Sequence, residues 1–177
     1  MNFETTLVTE AKPLDREAIV DLYDRHSSGM FRYAYRLLGN QDLAEECVAE
    51  TFSRFLHAVK SGKGPSENVQ AYLYRMAHNW ITDQYRRQPQ PSLELDLEGH
   101  PDHSSNPSTL VHQSLERERV RKALQRLPFD QQRVIEMRFL DGLPHEEVAL
   151  SLGKSIEATR ALQYRAITAL RHMLIEQ

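Results

Sequence analysis

Residues 144–173 read PHEEVALSLGKSIEATRALQYRAITALRHM, and their spacing predicts two helices joined by a very short turn. Pro144 suits a first helical position, and Glu146 and Glu147 place negative charge near the unpaired amides of a first turn. Val148, Ala149 and Leu152 form one apolar face, and Gly153 supplies the left-handed conformation that ends a helix in a sharp turn. Ser155 caps the second helix. Ala149 is small enough for a close crossing, with Leu162 between the helices and Thr159 where Val or Ile would pack better. Along the second helix Ala158, Leu162, Ala166, Ala169, Leu170 and Met173 recur at helical spacing and are expected to face inward, with Arg160, Tyr164, Ile167 and Arg171 facing outward. At about 1.5 Å per residue such a helix is roughly 30 Å long, and its first turns fit a major groove. A DNA-reading helix-turn-helix and an ordinary packed pair with a solvated basic face both satisfy the pattern. Gly153 and its neighbours favour the first.

A chain of 177 residues with 40% apolar content holds one medium domain or two small ones. Its single cysteine, Cys47, excludes an internal disulfide and a Cys-rich zinc site, and no cofactor is expected. With neither a secretory signal nor an apolar run of about 20 residues, the expectation is a soluble, cytoplasmic protein without membrane insertion. Net charge is -3, and its distribution is uneven. Residues 1–87 carry 11 Lys/Arg against 12 Asp/Glu, residues 88–115 none against four, and residues 116–177 carry 11 against nine. So little positive charge releases few counterions on duplex DNA, so a larger partner is expected to supply most of the affinity.

Outward from the motif, the chain reads as an all-α protein of two small helical domains. Residues 1–13 form an N-terminal extension closed by Pro13. A helix is expected from Leu14 to Leu38, with Ser27, Ser28 and Gly29 as a candidate interruption and Gly39 and Asn40 as its stop. Asp42 to Lys60 is amphipathic, with Ala44, Cys47, Val48, Thr51, Phe52, Phe55 and Val59 inward and Asp42, Glu45, Glu46 and Glu50 outward. Those acids fit both dipole complementarity and a docking face for a basic partner. The loop SGKGPSEN, residues 61–68, is either flexible or shaped for a ligand. In a third helix, residues 69–87, Val69, Leu73, Met76, Ala77 and Trp80 are expected inside, and Arg75, His78, Asn79, Thr82 and Arg86 outside, with Tyr72 and Asp83 flanking. Rings among amides and cations suit single-stranded nucleic acid, where bases stack and phosphates meet charge. Residues 88–114, proline-rich and without Lys or Arg, read as a flexible acidic linker in which His100 and His103 are incidental. The second domain, residues 115–177, opens with a charged helix that Pro128 breaks, then a helix from Asp130 to Leu140 with Val134, Ile135, Met137 and Phe139, and then the opening motif.

Three runs, DLAEECVAETFSRFL, QAYLYRMAHNWITDQYRR and RLPFDQQRVIEMRFLDGLPHEEVALSLGKSIEATRALQYRA, together resemble a bacterial RNA polymerase sigma factor of the sigma-70 family, extracytoplasmic-function (ECF, group 4) type. The resemblance implies a sigma region 2 domain at 14–87 and a sigma region 4 helix-turn-helix domain at 115–177. It implies binding to core RNA polymerase, at the largest-subunit clamp helices and the flap, and promoter-specific initiation without catalysis. Asp42, Glu45, Glu46 and Glu50 match the polymerase-binding run. Tyr72, Arg75, His78, Asn79, Asp83, Arg86 and Arg87 match the element that recognises and melts minus-10 DNA, with loop 61–70 holding an extruded base. Lys154, Ser155, Glu157, Ala158, Thr159, Arg160, Tyr164 and Arg165 match the minus-35 reader. Such factors commonly have an anti-sigma partner. Ala49 stands where Gln is usual, Tyr72 where Trp is frequent and His78 where Arg is usual, which is expected to retune polymerase affinity and melting.

A relaxed linker of this length spans only about 30 Å, whereas promoter elements two DNA turns apart are separated by about 70 Å. Polymerase is therefore expected to hold the domains apart, with Glu94, Asp96, Glu98 and Asp102 running through a basic channel. In the free protein the two domains are expected to be able to pack together and cover the readers. The alternative is a stand-alone helix-turn-helix regulator, which would bind an operator without polymerase. An enzyme is not expected, because the chain has no phosphate-binding glycine loop or metal-spaced cluster, and His145-Glu146-Glu147 lacks the following histidine of a zinc protease.

Overall fold

The computed structural model describes residues 16–87 and 107–175. The expected extension 1–13, His100, His103 and the four linker acids lie outside these residues. All regular structure among the described residues is helical: α1 (Arg16–Leu38), α2 (Gln41–Lys60), α3 (Val69–Arg87), α4 (Pro107–Gln125), α5 (Phe129–Ile135) continuing into a π-helical turn (Glu136–Leu140), α6 (His145–Leu152) and α7 (Ile156–Ile175).

Helices α1, α2 and α3 pack against one another around Met30, Tyr33, Ala34, Ala44, Cys47, Leu73, Ala77 and Ile81, none of them measurably exposed. Helix α1 runs without the expected interruption. A Cβ on Gly29 would meet the Tyr74 hydroxyl at 3.2 Å, so this glycine allows α1 and α3 to approach closely, and one glycine costs a long packed helix only about 1 kcal/mol. Asn40 caps α2 by accepting a 2.9 Å hydrogen bond from the Leu43 amide.

Loop 61–68 has a defined shape. Gly62 takes φ 69°, the Lys63 amide bonds the Ala58 carbonyl at 2.8 Å, and Pro65 is buried. A Cβ at Gly64 would come within 2.8 Å of Val59, so only glycine lets the loop fold back on α2. Asn68, at φ 50°, ends the loop and caps α3 through a 3.0 Å bond from the Ala71 amide.

In the second half, α4 begins at Pro107, inside the stretch expected to be linker. Pro107 suits a helix start because its missing amide hydrogen would be unpaired there anyway. The helix-turn-helix forms as its sequence predicts, with Gly153 left-handed at φ 62° and Ser155 accepting a 3.1 Å bond from the Ala158 amide. Pro144 precedes the first helical residue instead of being it. The π turn, closed by the Asp141 amide on the Glu136 carbonyl at 3.0 Å, shifts the register and leaves Phe139 and Leu140 exposed.

The two halves pack on each other. Helix α6 lies against α3, and Val134, Met137, Leu143, Val148 and Leu152 join the buried cluster of α1–α3. A smaller cluster of Leu127, Ile135 and Ala166 ties α7 to α4 and α5.

Candidate nucleic-acid and partner surfaces

Three exposed stripes carry most of the residues expected to bind. On α2, Asp42, Glu45 and Glu46 are exposed opposite the buried Ala44, Cys47 and Val48. Glu45 accepts from Gln41 at 2.9 Å, and Glu50, half-buried, pairs with Arg54 at 2.6 Å. The dipole at the start of α2 favours these charges, so the acidic face forms at little cost.

On α3, Arg75, Asn79, Asp83 and Arg86 follow one another at helical spacing on an exposed line, with Arg87 beyond. Asp83 and Arg86 sit 3.9 Å apart, a distance at which an exposed pair is weak. Tyr72 is half-buried at the edge of this line, its ring edge-on to Phe55 at 6.3 Å.

His78 and Thr82 depart from expectation. Both were expected on the solvent face, and both are half-buried under the second half of the chain. The fully buried Arg133 of α5 donates to the His78 ring and to Thr82 Oγ1 at 3.1 Å, and its guanidinium lies 3.1 Å from the centre of the Phe129 ring. Burial, reinforced by this neighbouring cation, lowers the His78 pKa from 6.5 to about 3, so the ring is neutral and accepts from Arg133. Burial also lowers the Arg133 pKa.

On α7, Glu157, Ala158, Arg160, Tyr164 and Arg165 are exposed, Tyr164 to 74%. Ala158, expected inside, faces out, and Thr159 takes its inward place, fully buried with its hydroxyl donating to the Ser155 carbonyl at 2.9 Å. The inward stripe is therefore 159–162–166–170–173, one residue later at its start, and Thr159 packs instead of facing a groove. Lys154 is held by Asp130 at 2.9 Å, and Arg165 donates back to the Ala161 carbonyl at 3.3 Å. Ser155 is exposed but committed to its cap.

Four charged residues at the junction were not singled out by the sequence pattern. Arg36 of α1 holds Asp141 through two 2.8 Å contacts and lies 3.6 Å from Glu136, while Arg133 lies on the α3 side. Burial raises the Glu136 pKa from 4.5 to about 7 and outweighs the attraction of Arg36. No local pattern marks them, because their partners lie 51 to 105 residues away along the chain. Cys47 is buried and its thiol pKa pushed up to about 12 by desolvation, so it is an inert core residue. Among the described residues no cluster of His, Cys, Asp and Glu could hold a metal ion, and no helix is long and apolar enough to cross a membrane.

The Sigma-70 region 2 family matches residues 22–89, and the Sigma-70, region 4 family matches residues 123–172. The chain belongs to the sigma-70 family. The relatives it matches include ECF sigma factors. It is 31% identical over 173 residues to the ECF RNA polymerase sigma factor BldN of Streptomyces coelicolor, covering 95% of this chain and 64% of BldN. It is 29% identical over 157 residues to the ECF sigma factor SigE of Mycolicibacterium smegmatis, covering 87% and 60%. To SigL of Mycobacterium tuberculosis it is 29% identical over 157 residues, with 88% of each chain covered. The sigma-70 chain thus spans less than two thirds of BldN and SigE. The fold is shared with CnrH, solved with the cytosolic domain of CnrY, at TM-score 0.73 and 22% identity over 99% of both chains. It is also shared with the sigma factor RpoE of Bartonella quintana, solved with the anti-sigma factor NepR, at TM-score 0.68 and 21% identity over 91% of this chain and 99% of that one.

Proposed function

We propose that this sigma-70 family chain binds core RNA polymerase in the cytoplasm and directs promoter-specific initiation by recognising minus-10 and minus-35 elements, without catalysing a reaction itself. The observation that carries this is the simultaneous exposure of three chemically distinct stripes in region order. They are acids on α2, an amide among charges on α3, and Arg160 with Tyr164 on α7. The acidic stripe suits the basic clamp helices of polymerase, and region 4 the flap. The line Arg75, Asn79, Asp83, Arg86 suits a melted strand, with Arg87 and Tyr72 at its ends and the shaped loop 61–68 beside it as the place for an extruded base. Arg160, Tyr164, Glu157 and Arg165 supply the major-groove face. Because RpoE was solved with the anti-sigma factor NepR, and CnrH with the cytosolic domain of CnrY, an anti-sigma protein is proposed for this chain too.

Run-off transcription with core polymerase on a pool of upstream fragments from the source genome tests this reading. Position-specific transcripts that require the protein and vanish with Glu46→Lys are expected. Retention of particular fragments without polymerase, and no transcripts with it, would replace this reading with a stand-alone regulator.

A further inference from the structure

Between α1, α4 and the π turn lies an apolar groove of about 360 Å³, lined by Val120, Leu124 and Leu140 together with Arg36, Arg117 and Arg121. None of the three proposed binding stripes uses it. Its arginines are unevenly committed: Arg36 is held by Asp141 and Arg121 by Glu118, whereas the exposed Arg117 has no ion-pair partner among the described residues. Two lining residues, Arg121 and Glu136, also carry buried atoms without hydrogen-bond partners among the described residues, Nε and Nη1 of the first and Oε2 of the second. Buried polar groups are nearly always paired, so an occupant that brings donors and acceptors along with apolar side chains suits this lining. A peptide backbone brings both.

One segment of the chain has the matching chemistry. Residues 92–98 read SLELDLE, leucine alternating with acid, so an extended backbone sets Leu93, Leu95 and Leu97 on one side and Glu94, Asp96 and Glu98 on the other. No Lys or Arg in residues 88–115 can pair with these acids locally. The attachment points of the segment flank the groove. Tyr85, two residues before the end of α3, donates to the carbonyl of Leu37, the neighbour of Arg36, and α4, beginning at Pro107, forms the opposite wall. Leu95 is eight residues beyond Arg87 and 12 before Pro107, which at about 3.3 Å per residue gives a reach of about 26 Å from one and about 40 Å from the other. Val120 lies about 20 Å along α4 from Pro107, well inside that reach.

We propose that residues 92–98 dock in this groove, with Leu93, Leu95 and Leu97 against Val120, Leu124 and Leu140 and the alternating acids toward Arg117 and Arg121. The docking does not depend on the sigma reading. The same acids are those expected in a basic channel of polymerase, so one segment has two destinations.

Disulfide formation within the full chain tests the contact. Leu95→Cys is paired with Val120→Cys, in the groove, or with Lys122→Cys, at equal reach on the opposite face of α4. Val120 and Lys122 are both exposed, so neither cysteine empties the core. Under mild oxidation the pair with Val120→Cys is expected to close at least 10-fold faster than the pair with Lys122→Cys. Arg117→Glu should slow the faster pair at least 3-fold, and Glu94→Arg with Asp96→Arg in that background should restore it. Equal rates for the two pairs would overturn the proposal, as would a rate that Arg117→Glu leaves unchanged. Disulfides forming mainly between two chains would give the groove to a second copy and overturn it as well. Run-off transcription tests the sigma reading separately, since neither its success nor its failure alters these rates.

Discussion

Helices α3 and α7 are both proposed to read DNA, yet they are held very differently. Helix α3 is packed from two sides, by α1 and α2 on one and by α5 and α6 on the other, and offers DNA a narrow line of residues. Helix α7 is packed along one stripe and exposes the rest of its circumference. A reader that must capture a melted strand depends on a rigid frame around a few side chains, whereas one that enters a major groove needs room on both flanks. The position of α3 follows from the whole fold, and that of α7 from its own turn and cap.

The largest expected difference is in stability. Leu73→Ala on α3 empties a fully buried site and should cost about 2–5 kcal/mol in urea denaturation. Tyr164→Ala on α7, 74% exposed, should change stability by less than about 0.5 kcal/mol while weakening minus-35-dependent transcription. Comparable losses at both positions would erase the contrast.

The covered flank should also give α3 a pH signature that α7 lacks. The contribution of neutral His78 is fully present above about pH 6.5 and is lost as pH falls toward 3. Glu136 acts in the opposite sense: its contribution is fully present below about 4.5 and is lost as pH rises through about 7. Asp141, whose pKa burial also raises, works in the same direction as Glu136. Between about 4.5 and 6.5 the opposing slopes should offset, giving a flat thermal-stability profile. His78→Asn should gain stability on acidification from 7.5 to 4.5, and Glu136→Gln should lose the decline near pH 7. Profiles unchanged by both substitutions would mean that these groups are hydrated.

Promoter readout sharpens the comparison next. Asn79→Ala and Arg160→Ala should each cost about 1–3 kcal/mol of discrimination at their own element, read as transcription from base-substituted promoters. Additive losses in the double variant are expected, because each helix reads separately. The smallest contrast lies in the caps. Ser155→Ala should cost about 1 kcal/mol, and Asn68→Ala about 1–2 kcal/mol more, because alanine must also adopt φ 50°. Equal melting temperatures for the two would show that the left-handed residue is not strained.

Features that depend on residues close in sequence were legible in it. The left-handed turn at Gly153, the cap at Ser155, the range of α3 and the acidic face of α2 all follow from spacing within a few residues. Misplaced features depend on distant partners. Ala158 reads as inward by spacing but faces out, because the crossing of α6 over α7 turns Thr159 inward instead. Gly29 reads as a break until the Tyr74 hydroxyl is brought beside it. Arg133 and Glu136 look like surface charges of a short helix, and become buried only when that helix meets α1 and α3.

The sequence by itself determined an all-helical chain with a helix-turn-helix near its end and three stripes at helical spacing, because periodicity, capping and turn chemistry are local properties of the chain. Only the tertiary structure decided that the halves pack on each other, that His78 and Thr82 lie beneath Arg133, and that Arg36 holds Asp141. Those contacts join residues about 50 to 105 positions apart, and no local pattern records which two faces bury each other.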